Sequence, residues 1–223
     1  MTYRYLRNLR DTKTSKTDDL SKFPTTKPKF KSKADYREWC SDPKTNHVFY
    51  STMEGRAPSK RISGDNPVHK IHGIVADYDS PIDWNSFDAK LNTSCAGTIK
   101  PTWSSKTYSG YLRLVWEFEE SIPIDPSMFD SFISAMNLTL KISKLFAGFD
   151  TTSFRANQYF ELGEDWQRTN DPVTMDIVHA ALSKAVNSKP PESSDTTIPI
   201  PVIAEEVESR FPNRWFGDFE VGA

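Results

Sequence analysis

The feature that most constrains the fold is the segment from Tyr111 to Glu119, YLRLVWEFE, in which apolar side chains occupy every second position. Successive side chains of a β-strand point to opposite faces of its sheet. The alternation therefore predicts a strand whose apolar face is formed by Leu112, Leu114, Trp116 and Phe118. Arg113 then lies on the opposite, polar face of that strand.

A second predicted strand ends in two carboxylates. The run HGIVADYDSPIDW begins at His72 and places Asp77 and Asp79 after Ile74, Val75 and Ala76. Residues two apart in a strand share a face, about 7 Å from each other. Two like charges at that distance are costly unless water or a cation solvates them, and carboxylate oxygens suit Mg²⁺ or Mn²⁺ better than zinc. The pattern fits either a divalent-metal site or a solvated turn after a core strand.

The remaining elements are predicted from periodicity and from capping residues. We expect strands in NHVFYST, CAGTIKPTWSS and NQYFEL, and helices over 34–40, from Asp83 to Leu91, from Asp125 to Phe146 and from Asp171 to Val186. The spacing of the central strands resembles that of hairpins. The fold class predicted is α+β, with a mixed or antiparallel sheet flanked by helices, and not a doubly wound parallel sheet.

Composition limits the class of protein and its organisation. A chain of 223 residues with 37% hydrophobic content can bury one substantial core, and a net charge of −2 gives no global basic signature. The two cysteines form no CxxC, which argues against structural zinc and favours a reduced, cytoplasmic setting. No stretch approaches the roughly 20 apolar residues of a membrane span. We expect a basic, loosely ordered segment over 1–30, the main domain over 31–187, a linker over 188–201 and a helical segment over 202–223.

A third segment suggests where chemistry takes place. AGFDTTSFRANQYFELG places Asp150 after the apolar Phe149. If Asp150 reaches the face of Asp77 and Asp79, three carboxylates could hold one or two divalent ions during in-line phosphoryl transfer. Candidate ligands for the nucleotide phosphates are the cations Lys106, Arg113 and Arg155 and the hydroxyl groups of Ser105, Thr107 and Ser109.

The order of these motifs, DYD, then SGYLRLVWEFE, then FDTTSFRANQYFELG, resembles the archaeo-eukaryotic primase superfamily, in particular the primase-polymerase domains of phage and plasmid replication proteins. The resemblance spans about residues 45 to 170. It implies a primase-type (RRM-like) catalytic core, with Asp77, Asp79 and Asp150 as catalytic and metal-binding residues for Mg²⁺ or Mn²⁺. The implied partners are nucleoside triphosphates, a single-stranded DNA template and, in a longer chain, a helicase module following FPNRWFGDFEVGA.

The second motif departs from the superfamily pattern, which commonly has Ser-x-His where this chain has Tyr111, Leu112 and Arg113. A guanidinium can bind a phosphate, but it cannot act as an acid or base. Nucleotide binding therefore fits this departure better than a proton-transfer role. The structural alternatives are a solvated or Glu-paired Arg113 and a pairing of Arg155 with Asp165 or Glu161.

Two other functions stay open. One is a carboxylate-dependent nuclease or nicking replication initiator, although a nicking enzyme is expected to use His-x-His and the chain has His69-x-x-His72. The other is a non-catalytic nucleic-acid-binding module. In either a module or a polymerase, the basic N-terminal segment is a candidate contact for template phosphates.

Overall fold

Two antiparallel sheets and their flanking helices form the part of the chain that the computed structural model describes, residues 1–23, 32–42 and 48–187. The strands are β1 (Tyr3–Leu6), β2 (Ser15–Thr17), β3 (Phe49–Ser51), β4 (Met53–Gly55), β5 (Val68–Tyr78), β6 (Trp103–Lys106), β7 (Leu112–Pro123), β8 (Phe160–Glu161) and β9 (Glu164–Arg168). The helices are α1 (Lys33–Ser41), α2 (Phe87–Ser94), α3 (Phe129–Leu140), α4 (Ile142–Leu145) and α5 (Met175–Asn187). The predicted α+β class with an antiparallel sheet is confirmed.

The larger sheet has five strands in the order β4-β5-β7-β6-β9. One face of its central strands packs on the helices, as shown by Ile74 and Trp116, which share a core cluster with Phe132 of α3 and Val178 of α5. The other face is covered by the smaller sheet, whose order is β2-β1-β3-β8. The five-stranded sheet is therefore a middle layer between helices and a second sheet.

The second sheet changes the environment of β7. The alternation of YLRLVWEFE is present, but Arg113, Val115 and Glu117 on the supposedly polar face are all buried. Glu117 accepts a hydrogen bond of 2.5 Å from the Tyr3 hydroxyl of β1. The polar face predicted for this strand is therefore shielded from solvent, because β1 and its neighbouring strands cover it.

The N-terminal residues differ from the loosely ordered segment that their composition predicts. Tyr3–Leu6 forms the second strand of the smaller sheet and pairs with both β2 and β3. Tyr3 and Leu6 are buried, so this strand gains enough apolar contact to offset the cost of ordering. Residues 24–30, the predicted linker 188–201 and the predicted segment 202–223 lie outside the described residues.

The predicted helices are present, but several of them begin or end at other residues than predicted. Asp125 caps a short 3₁₀ turn that leads into α3, but Lys141 takes a left-handed conformation with φ of 54° and ends the helix before Phe146. Helix α5 starts at Met175, whose N–H donates to Glu119 Oε2 at 3.0 Å, and not at Asp171. No helix in the described ranges combines the length and the hydropathy needed to cross a bilayer.

Candidate active site

The three predicted aspartates lie at one end of the five-stranded sheet, on one face. An antiparallel bridge joins Tyr78, the last residue of β5, to Phe149. In this bridge the Asp150 N–H donates to the Asp77 carbonyl at 2.8 Å, and the Asp79 N–H donates to the Gly148 carbonyl at 2.7 Å. Tyr78 and Phe149 point toward the helices, with ring centroids 5.7 Å apart. By alternation, the aspartates on either side of them point to the opposite face.

Asp150 is held by the turn that follows it. Its Oδ1 accepts from the Thr152 N–H at 2.8 Å and its Oδ2 accepts from the Thr152 hydroxyl at 2.6 Å, so that it caps the 3₁₀ helix Thr151–Phe154. The next residue, Ser153, accepts a hydrogen bond of 3.0 Å from the Asp77 N–H. The turn is therefore attached to the end of β5, and the position of Asp150 depends on it.

Gly148 permits this close approach. Its φ is +74°, a left-handed conformation that glycine adopts without strain. A Cβ atom at this position would lie 2.4 Å from Ser80 Oγ and 2.7 Å from the Ser80 backbone nitrogen. Any other residue would push the Gly148–Asp150 segment away from β5.

Arg113 forms a buried ion pair with two carboxylates from different sheets. Its Nε and Nη2 donate to the two carboxylate oxygens of Asp77 at 2.7 and 3.0 Å. Nη2 also donates to Glu161 Oε2 at 3.0 Å, and Nη1 donates to the Glu161 carbonyl. The guanidinium lies 5.1 Å from the ring centroid of Phe160 and 5.9 Å from that of Tyr50. Arg113 thus connects β5 and β7 of the larger sheet to β8 of the smaller one.

This arrangement differs from the phosphate contact expected for Arg113. The side chain is 0% exposed, and its donors are directed at protein acceptors. The pairing with a glutamate, one of the structural alternatives, is the arrangement observed. It involves Glu161, and it includes Asp77 as well.

The charges of this ion pair shift each other's ionisation. Burial raises the pKa of Asp77 to about 6, although the Arg113 guanidinium acts in the opposite direction. Burial by itself would lower the pKa of Arg113, but Asp77 and Glu161 raise it well above its ordinary value. Arg113 is therefore a permanent positive charge beside the carboxylate cluster.

The predicted phosphate ligands of β6 and its hairpin lie at the same end of the sheet. Lys106 donates to Asp165 Oδ2 at 2.6 Å, and its Nζ lies 4.9 Å from the ring centroid of Trp84. Thr107 and Ser109 hydroxyls lie 3.1 Å apart, and the Thr107 oxygen accepts from the Tyr111 N–H. These two hydroxyls shape the turn between β6 and β7.

Ser105 and Arg155 have contrasting environments. Ser105 is opposite Arg113 in the β6–β7 register, and its buried Oγ has no hydrogen-bond partner within the described residues. Arg155 is exposed and lies two positions after Ser153, next to the Asp150 turn. The acids considered as partners for Arg155, Asp165 and Glu161, pair instead with Lys106 and Arg113.

The chemistry of the carboxylates fits a hard divalent cation, whereas their arrangement does not form a complete set of ligands. Among the described residues, no group of three or more His, Cys, Asp or Glu side chains is arranged to hold a metal ion. Both Asp77 oxygens face a guanidinium. Asp150 accepts hydrogen bonds from the backbone N–H and the hydroxyl of Thr152. Asp79 and Asp150 are therefore the side chains that would hold an ion.

Sequence reasoning missed several residues that shape this site. Glu161, considered only as a partner for Arg155, is one, and its signal is a charged residue between the apolar Phe160 and Leu162, which requires a buried partner. Ser153 and Trp84 are others. Their roles depend on contacts between segments far apart in the chain, and no local pattern reports them.

No protein-family model matches the chain, and no curated protein matches it. Among solved structures, the chain is similar to the AEP domain of the primase-polymerase of cyanophage S-2L, with a TM-score of 0.44 and 14% sequence identity. The similarity covers 81% of this chain and 89% of that one.

Proposed function

We propose that this chain is a primase-polymerase domain, a nucleotidyltransferase that synthesises or extends a strand on a single-stranded DNA template. The observation that carries the proposal is the placement of Asp77, Asp79 and Asp150 on one face at one end of the sheet, fixed by backbone hydrogen bonds from Asp79 and Asp150. Acidic side chains at a sheet end that also presents lysine and hydroxyl groups suit phosphoryl transfer.

In the proposed reaction, the 3′-hydroxyl oxygen of one nucleotide forms a bond to the α-phosphorus of a nucleoside triphosphate, and the bond to the pyrophosphate leaving group breaks. The proton of the hydroxyl group passes to solvent. Such transfer depends chiefly on positioning and on neutralising charge. A Mg²⁺ or Mn²⁺ ion would supply positive charge at the phosphates, and Asp79 and Asp150 are the residues that would hold it. Lys106 and the exposed Arg155 are the cations that would contact the triphosphate.

Arg113 has a different role in this proposal from the one its motif position suggests. It fixes the Asp77 carboxylate and contributes a positive charge from inside the protein. We therefore assign to Arg113 the positioning of Asp77. Phosphate binding is assigned to Lys106 and Arg155. The wider setting proposed is phage or plasmid replication in the host cytoplasm.

A nicking initiator is supported less well. His72 is buried with its Nε2 3.7 Å from Glu54 Oε1, whereas His69 is exposed. Both histidines lie in the first half of β5, and Asp77 lies near its other end. The histidines and the aspartates therefore do not form one site.

Nucleotide incorporation tests the proposal. The purified chain would be incubated with nucleoside triphosphates, Mg²⁺ or Mn²⁺, and a labelled single-stranded template, with and without an annealed primer. A primase-polymerase lengthens the labelled strand or makes a new one, a nuclease shortens it, and a binding module leaves it unchanged. Either of the last two results, in protein shown to be folded, would refute the proposal.

A further inference from the structure

Two loops that lie side by side, residues 7–14 after β1 and residues 56–61 after β4, form one surface. The Thr14 N–H donates to the Ser59 carbonyl at 2.9 Å, and the Arg61 N–H donates to the Thr12 carbonyl at 2.9 Å. Between these bonds, Lys13 and Lys60 face each other in an antiparallel bridge. We call this surface the basic loop pair.

The second loop of the pair is held from inside by one buried amide. Asn66 is 5% exposed, and its Nδ2 donates to the carbonyls of Ala57, Lys60 and Arg61 at 3.1 to 3.2 Å. Its Oδ1 accepts from the Ala57 N–H at 2.8 Å. The backbone of the loop is therefore fixed on its inner side, and the basic side chains are left on the outer side.

Positive charge is concentrated on this surface although the whole chain carries a net charge of −2. The exposed basic residues are Arg7, Arg10, Lys13, Arg56 and Lys60. Lysines directly opposite each other on paired strands repel, and within the described residues neither Lys13 nor Lys60 forms an ion pair that relieves this. The nearby Asp11 carboxylate accepts from the backbone N–H groups of Arg7 and Asn8. A bound polyanion would remove the repulsion between the lysines.

Contacts connect the basic loop pair to the candidate active site. Arg61 donates to the Leu9 carbonyl at 2.6 Å, and its guanidinium lies 5.1 Å from the ring centroid of Tyr159. Tyr159 directly precedes β8, whose Glu161 pairs with Arg113. A strand bound along the basic loop pair would thus lie on the side of the molecule formed by the smaller sheet.

We propose that the basic loop pair binds the phosphate backbone of single-stranded DNA and holds the template outside the reacting centre. The template role rests on the proposed function, but the binding itself can be measured without nucleotide incorporation. Phosphate contacts of this kind are independent of sequence and weaken with salt, because binding releases counterions from the nucleic acid.

The test is the salt dependence of binding to a fluorescent 20-nucleotide oligo-dT, followed by anisotropy in the full chain. For a single strand, the slope of log K against log salt changes by about 0.7 for each phosphate contact. The double variant Lys13→Gln, Lys60→Gln is expected to bind more weakly and to reduce the slope by about 1.4 if both lysines contact phosphates. The matched control is Lys144→Gln, Lys184→Gln, which removes the same charge from exposed positions on α4 and α5.

A slope and an affinity that change equally in the two double variants would overturn the proposal, as would a wild-type chain that does not bind oligo-dT. Thermal unfolding checks that the variants are folded, and Arg10→Gln, Arg56→Gln provides a second pair on the same surface. If Lys13→Gln, Lys60→Gln weakens binding more than its control does, but the chain incorporates no nucleotide, the DNA-binding role of the basic loop pair is supported and the polymerase function is refuted. If the chain incorporates nucleotides and both double variants of the basic loop pair bind oligo-dT as the wild type does, the proposed role of the basic loop pair is refuted and the proposed function is not.

Discussion

Arg113 joins the two sheets with one side chain and contacts one of the aspartates of the candidate active site. Its guanidinium is completely buried and bonds to Asp77 in one sheet and Glu161 in the other. Removing one member of a buried ion pair is costly because the remaining charge stays in a poorly solvated place. The same substitution also frees the Asp77 carboxylate.

We predict that Arg113→Met lowers the free energy of unfolding by roughly 3–5 kcal/mol, since it leaves two carboxylates without their cation. Urea unfolding measured by circular dichroism gives this value. Arg155→Ala is the control, because Arg155 is exposed, and it should change stability by no more than about 0.5 kcal/mol. Equal effects of the two substitutions would mean that the buried pair contributes no net stability.

Substitutions of Asp79 and Asp150 are expected to lower activity and to leave stability nearly unchanged, whereas substitution of Arg113 lowers stability. Asp79→Asn and Asp150→Asn should each reduce primer extension by orders of magnitude while changing the unfolding free energy by about 1 kcal/mol or less, because an asparagine oxygen can still cap the Asp150 turn. Activity is measured with Mg²⁺ and with Mn²⁺, alongside melting with and without metal. Normal extension by Asp150→Asn would remove that residue from the site.

At the scale of single elements, the sheet end depends on the Gly148 segment. We predict that Gly148→Ala reduces primer extension strongly although it leaves every carboxylate in place, since the added Cβ would collide with the backbone of Ser80. Gly97→Ala is the matched control. Gly97 also has a positive φ, of +71°, but nothing lies within 4 Å of an added Cβ. In both variants, backbone strain at the positive φ should lower the free energy of unfolding by about 1 kcal/mol.

If Gly148→Ala and Gly97→Ala retain the same activity, the approach of Asp150 to β5 is not needed for the reaction. A larger stability loss in Gly148→Ala with full activity would show that the segment supports folding only. Unfolding and primer extension are therefore measured on the same preparations.

The elements that the sequence predicts well are those with a strong internal pattern. The alternation in β7 and the cap at Asp125 are local properties, and both elements are present. The end of α3 is different, because its apolar stripe continues to Phe146 whereas the backbone turns at Lys141. Asn137 supports this break through its side-chain oxygen, which accepts from the Ser143 N–H beyond the end of the helix.

At the scale of the whole molecule, the N-terminal strand is expected to be essential. Deleting residues 1–17 removes β1 and β2 and uncovers Tyr50 and Val115, which lie in the core between the sheets. We predict that this deletion abolishes cooperative unfolding, whereas removal of residues 188–223 preserves it and preserves nucleotide incorporation. Thermal melts of the two truncated proteins test this, and a cooperative melt of the first would contradict the role given to β1.

The sequence does not predict that a second, smaller sheet covers the five-stranded sheet. The strands of the smaller sheet have two to four residues each and come from separate regions of the chain, so none carries a long periodic pattern. Without that sheet, Arg113 is expected on a solvated face, and with it Arg113 is buried. The aspartates could be identified because DYD follows an apolar run, while Glu161 and Ser153 gain their roles only when distant segments meet.

The buried ion pair also has a consequence for how such a sequence can change during evolution. Asp77, Arg113 and Glu161 lie on three strands, and each satisfies a charge of another. Replacing one of them alone leaves an uncompensated charge between the sheets, so neutral drift at these positions is blocked unless two change together. In diverged relatives, these positions are therefore expected to covary, with the loss of the arginine accompanied by the loss of at least one acid.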